Sequence, residues 1–161
     1  MIVIVMGVVG AGKTTVGCLL ADQLGWQFAD ADDYHSPENK ERIHHGIPLT
    51  DADRSPWLRR LRAEIENWIA QGKNVVLACS ALKRTYREEL YAGPEVRFVF
   101  LKGNAAVIGP RLRARKNHFA DDKILASQLA DLEEPKNALT VGIDQSPAQI
   151  VAGIRQRLGV T

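Results

Sequence analysis

Apolar residues in this chain come in two alternating rhythms. Ile2-Val3-Ile4-Val5 is an unbroken apolar run, as are Val75-Val76-Leu77-Ala78-Cys79 and Val96 to Leu101 with one polar break. Runs of this length and β-branched content read as buried strands of a parallel sheet. Between them the period changes to that of a helix. Val16, Leu19, Leu20 and Leu24 share one face, and Gly25 is a natural stop. Leu58, Leu61, Ile65, Trp68 and Ile69 share another, over a predicted helix at 53–71 that Ser55-Pro56 is expected to cap. The pattern further predicts strands at 2–6, 27–30, 74–79, 96–101 and 139–143. It predicts helices at 13–24, around Leu82, Tyr86 and Leu90, at 105–115, at 124–132, and after Ser146-Pro147 through Leu158. Five strands interleaved with helices make an α/β protein with a five-stranded, doubly wound parallel sheet. Ligands of such sheets bind beyond the carboxyl ends of the strands.

The residue after the first strand opens GVVGAGKT, residues 7–14. This is G-x-x-x-x-G-K-[ST] between a strand and a helix, the context in which the motif has a mechanism. Gly7, Gly10 and Gly12 let the backbone approach a ligand closely, and the amides of Val8, Val9, Ala11, Lys13, Thr14 and Thr15 complete a polyphosphate cradle. Lys13 adds a positive charge for the β- and γ-phosphates, the Thr14 hydroxyl can hold Mg²⁺, and the helix dipole points at the same anion.

Other strand ends carry further chemistry. Asp30 and Asp32 follow the second strand. In extended chain they share a side, so one could order Mg²⁺ through water while the other accepts a proton from a substrate hydroxyl. An acidic loop opening a helix is the alternative. The third strand ends in Cys79-Ser80, where nucleotide hydrolases of this loop type usually place a metal-ordering Asp; that departure favours Asp30 for the metal. Lys83 and Arg87 then form a basic stripe, suited to an anionic substrate or to a solvated helix face. Arg111, Arg115 and His118 lie four and three apart. They suit either a flap that closes over the nucleotide and stabilises transferring charge, or an exposed basic helix. Gln128 interrupts an apolar stripe, as a satisfied core amide or a ligand contact. Arg54 sits where it could reach the cleft.

Bulk properties add exclusions. The chain has 161 residues and a net charge of +2, which gives a nucleic-acid or membrane role no support. No stretch reaches the roughly 20 apolar residues of a spanning helix, and the N-terminal run is too short for a signal peptide. Cys18 and Cys79 lack metal-site spacing, and both are expected as buried free thiols in a reducing, cytoplasmic setting. A nucleotide switch would want D-x-x-G or N-K-x-D, and Asn39-Lys40-Glu41-Arg42 lacks the Asp.

Taken together, GVVGAGKT at 7–14, DADDYHSPENKERIHHGIPLTDADRSPWL at 30–58, CSALKRTYRE at 79–88, RLRARKNHF at 111–119 and SQLADLEEP at 127–135 resemble the small P-loop gluconate kinases along essentially the whole chain. That resemblance implies a P-loop fold of nucleoside-monophosphate-kinase type over residues 1–161, similar to shikimate kinase. The lid would lie near 111–125 and a substrate-binding helical region near 33–58. It implies ATP- and Mg²⁺-dependent phosphorylation of D-gluconate at the 6-hydroxyl, in an enzyme that is commonly a dimer. Lys13, Asp32 and Arg115 would be catalytic, Thr14 and Asp30 metal-binding, and Arg111 and Arg115 close to adenine and phosphates. Asp32, His35, Arg54, Lys83, Arg87, His118 and Gln128 would face the substrate. Arg42 stands where the family often has Lys. A kinase for another small anionic metabolite, such as shikimate, is the nearest alternative.

Overall fold

The computed structural model describes the backbone of residues 1–113 and 118–161, and side chains outside 113–122. The first strand, β1 (Ile2–Met6), is buried along its full length. Its alternation builds two cores. Val3 and Val5 point to one face and Ile2, Ile4 and Met6 to the other. On the first face pack α1 (Lys13–Leu24) through Val16 and Leu20, and α7 (Pro147–Leu158) through Ile150, Val151 and Ile154. On the second pack α3 (Asp51–Ala70) through Leu61, Ile65 and Trp68, and α4 (Arg84–Leu90) through Tyr86 and Leu90.

The remaining strands are β2 (Gln27–Asp30), β3 (Val75–Ala78), β4 (Val96–Lys102) and β5 (Leu139–Gly142). All pair in parallel in the order β2-β3-β1-β4-β5. β1 is therefore central, and the chain departs from it in both directions, which opens a crevice at its carboxyl end. Strand pairing sets Asp30 opposite Ala78, so the end of β2 lies beside the end of β3.

Two local expectations are corrected. The cap of α3 is Thr50, not Ser55. Thr50 Oγ1 accepts the Asp53 amide at 3.1 Å, and an Asp53 carboxylate oxygen accepts the Thr50 amide at 2.9 Å. This reciprocal box starts the helix earlier and leaves Pro56 inside it. The helix α2 (Pro37–His44), capped by Ser36, lies between β2 and α3. Cys18 is exposed and only Cys79 is buried, because position 18 of α1 turns away from the sheet. The last two helices before β5 are α5 (Ala105–Arg113) and α6 (His118–Asp131). Among the described residues no helix is long and apolar enough to cross a membrane.

Candidate active site

Two glycines shape the loop between β1 and α1. Gly12 caps α1 at φ 97° and Gly10 sits at φ 80°, both in the left-handed region. A Cβ on Gly10 would lie 2.8 Å from Ile108 Cγ2 and 2.9 Å from Leu112 Cδ2, so the loop packs directly under α5. Val8 and Ala11 are core side chains that contribute backbone alone. Not every amide of the loop is open. Ala11 N–H donates to the Val8 carbonyl at 3.1 Å, and Val9 N–H donates to Gln128 Oε1 at 2.6 Å. The helix start has no side-chain cap and no acidic residue in its first turn. Its amides at Lys13, Thr14 and Thr15 thus lack intrahelical acceptors and carry the positive end of the dipole into the crevice. Lys13 Nζ donates to the Val8 carbonyl at 3.0 Å, which holds the ammonium over the loop.

The crevice is a cavity of about 230 Å³. Lys13, Thr14, Asp30, Asp32, His35 and Arg54 all line it, and Gln128 closes one side. A larger open groove of about 1110 Å³ lies at the start of β4, lined by Arg84, Tyr91, Arg97 and Lys136. It contains neither a phosphate loop nor a strand-end carboxylate pair.

Asp30 is fixed by its own turn, since its Oδ1 accepts the Asp32 amide at 3.0 Å and caps a short 3-10 turn. Asp32 is thereby aimed off the end of β2. Burial in the crevice raises its pKa, the Asp30 charge adds to this, and Lys13 opposes it. The result is a carboxylate with heightened proton affinity beside a phosphate-binding lysine, the setting a general base needs. His35 stacks on Trp57 at 4.3 Å and 11°, and Trp57 Nε1 donates to the Ala31 carbonyl at 2.7 Å. Burial, helped by the Arg54 and Lys40 charges, lowers the His35 pKa to about 4, so the ring is neutral at pH 7. Its Nδ1 is buried and has no hydrogen-bond partner among the described residues. Arg54 is buried and donates through Nη1 to Tyr86 Oη at 2.9 Å and to Asp131 Oδ2 at 3.2 Å. Burial works against its charge, but the Tyr86 and Asp131 interactions outweigh that and keep it cationic.

The structure does not bring every expected residue here. Arg87 is turned away from the crevice. Its guanidinium donates to the carbonyls of Ala81 and Leu82 at 2.7 and 2.9 Å and of Glu133 at 2.7 Å. Lys83 lies outside the crevice lining and pairs with Asp51 at 2.9 Å. Arg111 donates to the Ile143 carbonyl at 2.7 Å, tying the start of the expected lid to the end of β5. Arg115 and the His118 side chain lie outside the described residues. Trp57 is buried and also forms part of the crevice wall. Burial pushes the Cys79 thiol up to about 12, so this residue at the end of β3 is an inert wall group.

Thr14 and Asp30 both line the crevice and offer only oxygen donors, and the nearby Asp32 adds a carboxyl whose charged form is disfavoured by burial and by Asp30. Hard oxygen donors with excess negative charge fit Mg²⁺.

Comparison with known proteins agrees with this geometry. The shikimate kinase family model matches residues 9–157. A probable gluconokinase of Mus musculus is 43% identical over 178 residues, spanning 98% of this chain and 97% of its own. A sugar kinase from Janibacter sp. superimposes with a TM-score of 0.90 at 44% identity, covering 99% of this chain and 95% of its own. A gluconokinase from Sinorhizobium meliloti gives 0.82 at 38% identity, covering 98% and 94%. With a central P-loop crevice, a strand-end carboxylate pair and full-length likeness of this degree, the chain belongs to the gluconokinase family of shikimate-kinase-like P-loop kinases.

Proposed function

We propose that this chain transfers the γ-phosphoryl group of ATP to the 6-hydroxyl of D-gluconate, giving 6-phospho-D-gluconate and ADP, in the cytoplasm. The observation that carries the reading is the distribution of charge along one crevice. Amides and Lys13 attract a polyphosphate, Asp32 lies beside them, and the Arg54 guanidinium lines the same wall. An open-chain sugar acid matches that sequence of groups, with a hydroxyl near Asp32 and a carboxylate near Arg54.

The triphosphate lies against the first-turn amides of α1, with Lys13 on its β- and γ-oxygens. The 6-hydroxyl oxygen attacks the γ-phosphorus, the bond from that phosphorus to the β–γ bridging oxygen breaks, and Asp32 takes the hydroxyl proton. Thr14 and Asp30 would hold Mg²⁺, which neutralises charge on the β- and γ-oxygens when bound. The ring edge of neutral His35, held by stacking on Trp57, offers the polyol an in-plane hydrogen-bonding group with no added charge. Gln128 keeps α6 in register with the loop through Val9. By the family resemblance, Arg115 would act on the transferring phosphoryl group and His118 would face the substrate, both outside the described side chains.

An assay of ADP release over a panel of sugar acids tests this. Gluconate should give the highest kcat/KM. Turnover of a cyclic acid such as shikimate with gluconate inert would overturn the substrate assignment.

A further inference from the structure

Behind Arg54 stands a polar relay that no step above uses. Tyr86 of α4 is buried, and its phenol donates to an Asp51 carboxylate oxygen while accepting from Arg54 Nη1 at 2.9 Å. A phenol has one proton, so once Asp51 takes it the oxygen can offer Arg54 only acceptor lone pairs. Asp51 is itself fixed by Lys83 Nζ, at 2.9 and 3.2 Å from its two oxygens. Burial, and then the Asp51 hydrogen bond, raise the Tyr86 pKa, which keeps that proton in place. Asp131 of α6 accepts from the same Arg54 nitrogen at 3.2 Å. Both partners therefore engage Nη1, and no described residue engages Nη2 or Nε. A guanidinium held by one nitrogen presents its remaining edge as a rigid two-donor fork, the geometry that suits a carboxylate.

We infer that Tyr86 is a positioning residue for recognition of the substrate carboxylate, acting through Arg54, with Asp51 setting the polarity of the phenol and Lys83 anchoring Asp51. This rests on the gluconate reading. It also gives Lys83 a role at a distance: the expected contact with substrate is replaced by one that fixes the relay. The ring adds a second hold, since the Arg54 guanidinium carbon lies 5.5 Å from its centroid.

Tyr86→Phe keeps the ring and removes the acceptor. It should raise KM for gluconate about tenfold, the worth of one charge-assisted hydrogen bond, and leave KM for ATP unchanged. Asp51→Ala, which frees the phenol proton, should act in the same direction by about threefold. D-Glucitol, the polyol without a carboxylate, is the probe to be measured as a competitive inhibitor. Its inhibition constant should not change in Tyr86→Phe, whereas a general distortion of the crevice would weaken polyol and acid alike. Unchanged gluconate KM in an active Tyr86→Phe enzyme, or parallel weakening of both ligands, would overturn the role of Tyr86 alone. A wild-type chain inert toward gluconate would overturn the substrate reading and this role with it.

Discussion

Arg87→Ala should cost stability and spare substrate affinity, whereas Arg54→Ala should cost substrate affinity. Arg87 is 8% exposed, and its guanidinium bridges three backbone carbonyls at 2.7 to 2.9 Å. Two belong to Ala81 and Leu82, in the turn after β3, and the third to Glu133, beyond α6. Ala81 is held at φ 45°, a left-handed conformation in a residue with a Cβ, so this turn is strained and depends on its partners. Truncation leaves three acceptors to be satisfied by whatever water can enter. At about 1 kcal/mol net per bond the loss is about 3 kcal/mol, or roughly 6–12 °C in Tm for a chain of this size. Arg54 instead keeps part of its fork toward the crevice. Its loss leaves the gluconate carboxylate unpaired and should weaken gluconate binding by at least about thirtyfold. Thermal unfolding by circular dichroism and steady-state kinetics on both variants separate the two effects. An Arg87→Ala enzyme with wild-type Tm and a KM for gluconate raised tenfold would refute the reasoning and return Arg87 to the pocket.

Lys13→Ala should lower kcat by at least about 10²-fold, the scale for removing one preorganised charge donor at a transferring group; rapid-quench single turnovers read it directly. Asp32→Asn should also cost at least about 10²-fold in kcat, and a change confined to KM would reassign Asp32 to hydroxyl binding. Because burial and Asp30 raise the Asp32 pKa, the acid limb of kcat/KM should fall above the ordinary carboxylate range, and Asp30→Asn should move it down. His35 has a folded pKa of about 4 against 6.5 for an open chain, so between those values the unfolded state binds the extra proton. That contribution to stability is complete above about pH 6.5 and is lost as pH falls toward 4, by up to about 3 kcal/mol. His35→Phe should flatten calorimetric stability across that window, and an unchanged slope would contradict a buried neutral imidazole.

Residues whose role depends on backbone alone were the most legible in the sequence. The phosphate loop follows from glycine spacing between a strand and a helix, and the two-faced core follows from the alternation of Ile2 to Met6. Polar helices were less so. α2 reads PENKERIH, with no apolar face to betray it. It is held by Asn39, whose Nδ2 donates to the Asp53 carbonyl at 2.8 Å, a contact made across the turn to α3. The cap of α3 was present in the sequence as Thr50 and Asp53, but Ser55-Pro56 carried an equally good local signal, and only the folded chain decides between them. Gln128 was open between core amide and ligand contact, and a loop amide claims its oxygen. The cations show most clearly where local spacing stops being informative. Lys83 and Arg87 share one helix-spaced stripe, yet one meets a carboxylate and the other meets carbonyls. Spacing of four says which side chains neighbour each other on a helix, and nothing about what that face meets. Here the face meets a turn strained at Ala81, and alanine carries no sequence signal for a positive φ. That hidden strain is what converts an expected substrate arginine into a clamp, and leaves Arg54 as the described guanidinium on the crevice wall.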